Sequence, residues 1–203
     1  DDEYGMKHDN SLGKPEGLLI ISVEPGSKME FGHNAKNKEE LRKMVYSGEW
    51  DKLLRYEYPK EGDFIYVPSG IMHAVGKGIV LFEVSRNADL TYRLYDYDRV
   101  DKNGNKRQLN IEKSLDILEA PSTNSGIVMP EVKVSDGLQI TTYFDKPGEF
   151  TFRKISCEIQ GVWEQTEFGF YFINSGKGTI NDQEVKKGQT WLIPSDYGKQ
   201  VIK

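Results

Sequence analysis

Two nine-residue stretches of this chain repeat one another: Gly62-Asp-Phe-Ile-Tyr-Val-Pro-Ser-Gly70 is echoed by Gly188-Gln-Thr-Trp-Leu-Ile-Pro-Ser-Asp196. Each carries a glycine turn, a short run of strand composition and a proline-governed reversal. A self-similar pair of this kind predicts two related β-barrels in tandem, each of the jelly-roll type. Barrel closure also constrains the residues after the turn, because a side chain there is aimed at the interior. After the first turn the chain runs Ile71-Met72-His73-Ala74, placing an imidazole at the mouth of the next strand. A neutral imidazole in that position is a natural metal ligand. After the second turn comes Tyr197-Gly198-Lys199, with no histidine. The second barrel is therefore expected to be degenerate, without a metal site, and to pack against the first.

The rest of the sequence agrees with a mainly β chain. With 11 Tyr, 9 Phe and 20 Gly in 203 residues, strands and turns outweigh helices. Strands are expected near 17–23, 28–31, 53–58, 63–67, 78–84 and 91–96. Asn37-Lys-Glu-Glu40 caps a helix whose apolar stripe is Leu41, Met44 and Val45, and Ser47-Gly48 stops it. A second short helix fits 110–118, with Ile111, Leu115 and Leu118 on one face. Residues 101–107 read as a polar hairpin or loop. The Pro, Ser, Thr, Asn and Gly of 120–130 read as a linker. It would separate a first domain, 1–119, from a second, 131–203, whose strands are expected near 131–134, 138–144, 150–159, 169–175, 178–180 and 190–194.

Net charge is −5 and no basic cluster tracks one face, which argues against nucleic acid as a partner. No apolar run approaches the roughly 20 residues of a membrane span. The single cysteine, Cys157, cannot form an internal disulfide, which fits a reducing cytoplasm. It lies in a strand-like segment and reads as core packing. The opening Asp-Asp-Glu-Tyr-Gly has neither a Met nor a leader pattern, and an apolar strand follows almost at once. The chain thus reads as one that starts inside a domain, its first barrel incomplete.

Alternation places Leu81 and Glu83 on one face of their strand, and Thr91, Arg93 and Tyr95 on one face of another. Glu83 then points either into the barrel or to solvent. A Glu and an Arg on neighbouring strands could equally form a structural ion pair. His8 reads as solvated in a polar loop, and His33 as hydrogen-bonded locally at a turn. Tyr95-Asp-Tyr-Asp98 fits a surface strand, or a hydrogen-bonding platform near a ligand.

The Gly-x5-Pro-x-Gly-x-x-His pattern resembles the cupin superfamily. Leu12-Gly-Lys-Pro-Glu16, Phe31-Gly-His-Asn-Ala35 and Phe82-Glu-Val-Ser-Arg-Asn-Ala-Asp-Leu-Thr-Tyr-Arg93, continuing into Leu94-Tyr-Asp-Tyr-Asp-Arg99, narrow the resemblance. Together they resemble the type I phosphomannose isomerases in their short bacterial form. That resemblance implies aldose–ketose isomerisation of mannose 6-phosphate and fructose 6-phosphate at one zinc ion. It implies Glu16 and His73 as metal ligands, with the family's other ligands, a Gln-x-His pair, expected upstream of Asp1. It also implies Lys14 and Glu83 beside the substrate as candidates for moving the proton, and Arg93 over the sugar. Two ligands are fewer than the three a catalytic zinc normally takes from protein, so this chain alone is expected to bind zinc poorly and turn over slowly or not at all. Two other readings stand beside this one: a non-catalytic cupin-like sugar-binding or regulatory module, and a metal cupin of another reaction type.

Overall fold

The computed structural model describes residues 1–122 and 126–203. It divides into two compact units, Asp1–Met129 with Phe144–Thr151, and Pro130–Tyr143 with Phe152–Lys203. The architecture is mainly β, with several antiparallel sheets and four short helices among the described residues. None of those helices is long and apolar enough to cross a membrane.

The first unit opens with helix α1 (Asp2–Asp9) and strands β1 (Glu16–Val23) and β2 (Met29–His33). Helices α2 (Lys38–Ser47) and α3 (Trp50–Leu53) lead into β3 (Leu54–Glu57), β4 (Phe64–Val67), β5 (His73–Ala74) and β6 (Ile79–Ser85). Helix α4 (Ile111–Ile117) and β7 (Ile127–Val128) follow. The strands form one four-stranded sheet, β6-β1-β4-β7, and one three-stranded sheet, β3-β2-β5. Of the stretch expected as a linker, residues 123–125 lie outside the described residues, and β7 pairs with β4.

Strand alternation explains the core. Leu18 and Ile20 of β1 pair with Ile65 of β4 and Leu81 of β6, so their side chains share one face. That face packs with Met29 and Phe31 of the other sheet, and Leu18, Ile20, Ile65, Val67, Met29 and Phe31 are all buried in one cluster. Each such side chain stabilises the fold by about 1.5–3 kcal/mol through area removed from water. A second cluster gathers Leu41 and Val45 of α2 with Leu53, Leu94, Leu115 and Leu118. Helix α2 begins where Asn37 Oδ1 accepts from the Glu40 amide at 2.8 Å, and ends at Gly48, whose φ of 71° is left-handed.

Three local expectations differ from what the fold contains. The amino-terminal segment is helical from Asp2, with Asp1 as its cap, so His8 sits on a helix, stacked 4.1 Å from Tyr4. Residues 91–96 form no strand. Their alternation is real, since Leu94 and Asp96 are both buried, but Asn110 rather than a neighbouring strand takes the backbone of Arg93. His33 is buried, and its Nε2 lies 2.9 Å from the Glu119 carbonyl, a long-range partner rather than a local one.

The second unit contains β8 (Glu131–Ser135), most of β9 (Leu138–Asp145) and of β10 (Thr151–Cys157), β11 (Gly161–Gln165) and β12 (Gly169–Phe172). It continues with β13 (Lys177–Ile180), β14 (Gln183–Lys186), β15 (Thr190–Ile193) and β16 (Gly198–Ile202). Their sheet orders are β10-β9-β8, β11-β16-β13-β14 and β12-β15. Cys157 is half-buried, its Sγ 3.4 Å from the Ile202 carbonyl.

Candidate active site

The first unit holds a cleft of about 410 Å³, within the range of small-molecule sites. Lys14, Glu16, His73, Glu83 and Arg93, all singled out by the sequence, line it. Long-range pairing brings them there. Glu16 is the first residue of β1 and shares the interior face of Leu18 and Ile20, so its carboxylate is buried at the end of the apolar column. Glu83 pairs with Leu18 across β6 and β1, which puts it on the same interior face at the open mouth of the cleft. His73 comes from the other sheet, opposite Phe31. The turn that delivers it needs Gly70, whose φ of 92° is strained for any residue with a Cβ.

Glu16 lies between two basic side chains. Lys14 Nζ lies 3.0 Å from its Oε1, and His73 Nε2 lies 3.1 Å from its Oε2. His73 Nδ1 lies 3.0 Å from the Ile71 carbonyl, and only an N–H can face a carbonyl oxygen. In the neutral ring, Nε2 would then turn a lone pair toward a carboxylate oxygen. Two lone pairs that converge in this way require a positive charge, either a ring proton or a metal ion. The titration tendencies agree. Burial works against the His73 imidazolium, but Glu16, the Ile71 carbonyl and Glu83 outweigh it and raise its pKa. Burial raises Glu16, yet His73 and Lys14 prevail and hold it below the usual carboxylate value. Burial lowers Lys14, and Glu16, Glu83 and Asp89 reverse that, leaving it firmly protonated.

The donor chemistry of Glu16 and His73 fits a zinc ion as part of a ligand set. Among the described residues, no group of three or more His, Cys, Asp or Glu side chains converges to complete it. Glu83 and Arg93 do not pair with each other. Neither side chain makes a hydrogen bond or an ion pair among the described residues, so both are available to a ligand. The backbone of Arg93 is nonetheless fixed: its N–H donates to Asn110 Oδ1 at 3.1 Å and its carbonyl accepts from the Asn110 amide at 2.7 Å.

Two further arrangements were not legible in the sequence. Arg86 donates to the Gly13 carbonyl at 3.1 and 2.6 Å and pairs with Asp2, while Gly13 N–H donates to Asp2 Oδ1 at 2.9 Å. This clamp holds the backbone next to Lys14. Asp96, also on the cleft, is buried and gripped by Arg99 and Arg107. The Arg107 hydrogen bond, followed by that of Arg99, overcomes burial and holds its pKa down at about 2. Tyr97, whose hydroxyl donates to Glu30, also lines the cleft, while Tyr95 lies on Trp50 with ring centroids 4.2 Å apart.

No family model matches the chain. Its sequence is 38% identical over 202 residues to the mannose-6-phosphate isomerase of Streptococcus mutans, covering 96% of this chain and 62% of that protein. Its structure superposes on the crystal structure of the mannose 6-phosphate isomerase from Bacillus subtilis with a TM-score of 0.92 at 34% identity, covering 100% of this chain and 66% of that one. A zinc-bound mannose 6-phosphate isomerase shares the fold at a TM-score of 0.73 and 13% identity, covering 94% of this chain and 63% of that one. The chain thus spans just under two thirds of the length of the curated relatives it matches.

Proposed function

The chain belongs to the mannose-6-phosphate isomerase family, and from that membership we propose that its cleft is the isomerase site for mannose 6-phosphate and fructose 6-phosphate. One observation carries this reading: Lys14, Glu16, His73, Glu83 and Arg93 converge in a single cleft, with Glu16 and His73 facing each other across 3.1 Å. Glu16 and His73 would hold the zinc ion, and the remaining ligands come from the part of the relatives' length that this chain does not span. Bound there, zinc supplies Lewis acidity that polarises the substrate oxygens and acidifies the adjacent C–H. In domain terms, residues 1–119 form a cupin-like jelly-roll barrel that carries the site, and residues 131–203 a second barrel without one.

Glu83 is the base. It has no competing partner among the described residues, whereas Lys14 is paired with Glu16 and held protonated. Starting from the open-chain aldose, the Glu83 carboxylate takes the proton from C2, and the electron pair left behind forms an enediolate with C1. Returning that proton to C1, while one hydroxyl proton moves from O2 to O1, gives the ketose. The Arg93 guanidinium steadies the negative charge on the enediolate oxygens, and Lys14 hydrogen-bonds a substrate oxygen beside Glu16.

A coupled assay for fructose 6-phosphate formation tests this, run on the 203-residue chain and on a chain of the family's full length, each with added zinc. The full-length protein is expected to isomerise and this chain to be slow or inactive. A full-length protein that binds zinc yet does not isomerise sinks the proposal. It would favour instead a non-catalytic sugar-binding module.

A further inference from the structure

Beside Glu83, Arg93 and the Tyr97-bound Glu30, the cleft is lined by two separate networks of paired charges. One joins Lys14, Glu16 and His73; the other joins Asp96, Arg99 and Arg107. The second has more positive charge than its structural role requires. Asp96 is one buried carboxylate, 7% exposed, and one guanidinium would neutralise it. It receives two. Arg99 spends its Nε and Nη2 on Asp96, donating at 3.2 and 2.6 Å. Arg107 spends the same two nitrogens, with Nε 2.8 Å from Oδ2. A guanidinium has five N–H donors in a planar fork. Among the described residues each arginine therefore engages one edge on Asp96 and keeps the Nη1 edge without a hydrogen bond, the Arg99 guanidinium lying 5.1 Å from the Tyr97 ring centroid, and the side chains remain 60% and 50% exposed at the cleft. In a chain of net charge −5, a cleft-lining group with a surplus positive charge and two free forks is a specific feature. Paired oxygens of a tetrahedral dianion match such forks bidentately.

We infer that Arg99 and Arg107, set by Asp96, form the subsite that takes the phosphate of the substrate. This rests on the isomerase reading for the ligand's identity. Asp96 is the positioning residue, fixing both forks so that little side-chain freedom is lost on binding. Arg93, three residues before Asp96, is left for the sugar oxygens. The sugar would then span the two networks, its phosphate on Arg99 and Arg107 and its reacting end toward Glu16, His73 and Glu83.

The test is calorimetric titration of the 203-residue chain with inorganic phosphate and with fructose 6-phosphate. Arg99→Gln combined with Arg107→Gln is expected to weaken both by at least tenfold, and Lys187→Gln, an exposed cation in the second unit, to weaken neither. Arg107→Lys keeps the charge without the fork and is expected to weaken phosphate several-fold. If the double variant does not fold, adding Asp96→Asn removes the stranded carboxylate, and Arg107→Lys still separates the outcomes. Phosphate that fails to bind the unaltered chain, or that binds the folded variants unchanged, overturns the subsite. The subsite and the isomerase reading fail separately. An unchanged KM for mannose 6-phosphate in the full-length double variant removes the subsite alone, whereas arginine-dependent phosphate binding without isomerisation by the zinc-loaded full-length protein removes the isomerase alone.

Discussion

Residues 62–70 and 188–196 follow the same backbone course. Gly62 and Gly188 both have positive φ, 88° and 87°, and the turns end on Gly70 at 92° and Asp196 at 55°. What surrounds them differs. β4 lies inside a four-stranded sheet, with Phe64, Ile65 and Val67 buried, whereas among the described residues β15 pairs only with β12, burying Ile193 but leaving Leu192 61% exposed. After the first turn His73 meets a buried carboxylate. The equivalent place in the second copy is Lys199, exposed on β16 opposite Glu164. A shared turn thus supplies a way to aim a side chain, and chemistry arises only where another strand presents a partner to it.

The largest expected difference between the two regions is catalytic. In the full-length, zinc-loaded protein, Glu83→Gln should lower kcat by about 10²–10⁴-fold, the usual loss on removing a general base; an unaltered kcat would put the base elsewhere. Next is packing. Phe64→Ala should cost about 3–5 kcal/mol, read by urea unfolding, while Leu192→Ala, on the matching strand at the place of Tyr66, should stay within about 0.5 kcal/mol. Equal losses would mean that the two copies are equally embedded. The turns themselves give a smaller contrast. Gly70→Ala forces a Cβ into the left-handed region and should cost about 1–2 kcal/mol, whereas Asp196→Gly, already left-handed with a tolerant side chain, should be close to neutral.

A pH dependence belongs to the first unit. The folded-state pKa of Asp96, about 2, lies below its ordinary 3.8 because Arg107 and Arg99 hold the carboxylate charged. A depressed carboxylate stabilises the fold above its unfolded pKa, and that contribution is lost as pH falls from near 4 through about 2. Thermal unfolding across that window should show a steeper acid loss in the parent than in Asp96→Asn; parallel curves would refute the coupling. The smallest expected effect is at the second turn. Lys199→His should bring no zinc affinity in equilibrium dialysis, because no buried carboxylate faces that position as Glu16 faces His73.

Local physics was legible in the sequence. The Asn37 cap and Gly48 stop delimited α2, the apolar run after Glu16 marked β1, and the Pro-Ser-Gly turn placed His73 at the start of a strand. These depend on neighbours within a few residues. Thr91 to Asp96 looked equally strand-like, and its alternation holds, but a strand needs a partner edge, and here Asn110 takes those hydrogen bonds. α1 was hidden for the opposite reason: its polar residues show no stripe, and its anchors are distant, with Tyr4 donating to Asp116 and Asp9 pairing with Lys113.

For the site, the sequence alone determined which residue types were available and which turn would aim His73. Tertiary structure decided the rest. Glu83 could have faced solvent or the interior until its pairing with Leu18 put it on the interior face. An ion pair between Glu83 and Arg93 was open until the fold left both unpaired among the described residues. The grip of Arg99 and Arg107 on Asp96 joins residues up to eleven positions apart through an irregular loop. The reason is physical: periodicity fixes which side chains share a face, but only strand register and loop closure set which faces meet, and the charge of a buried group depends on that meeting.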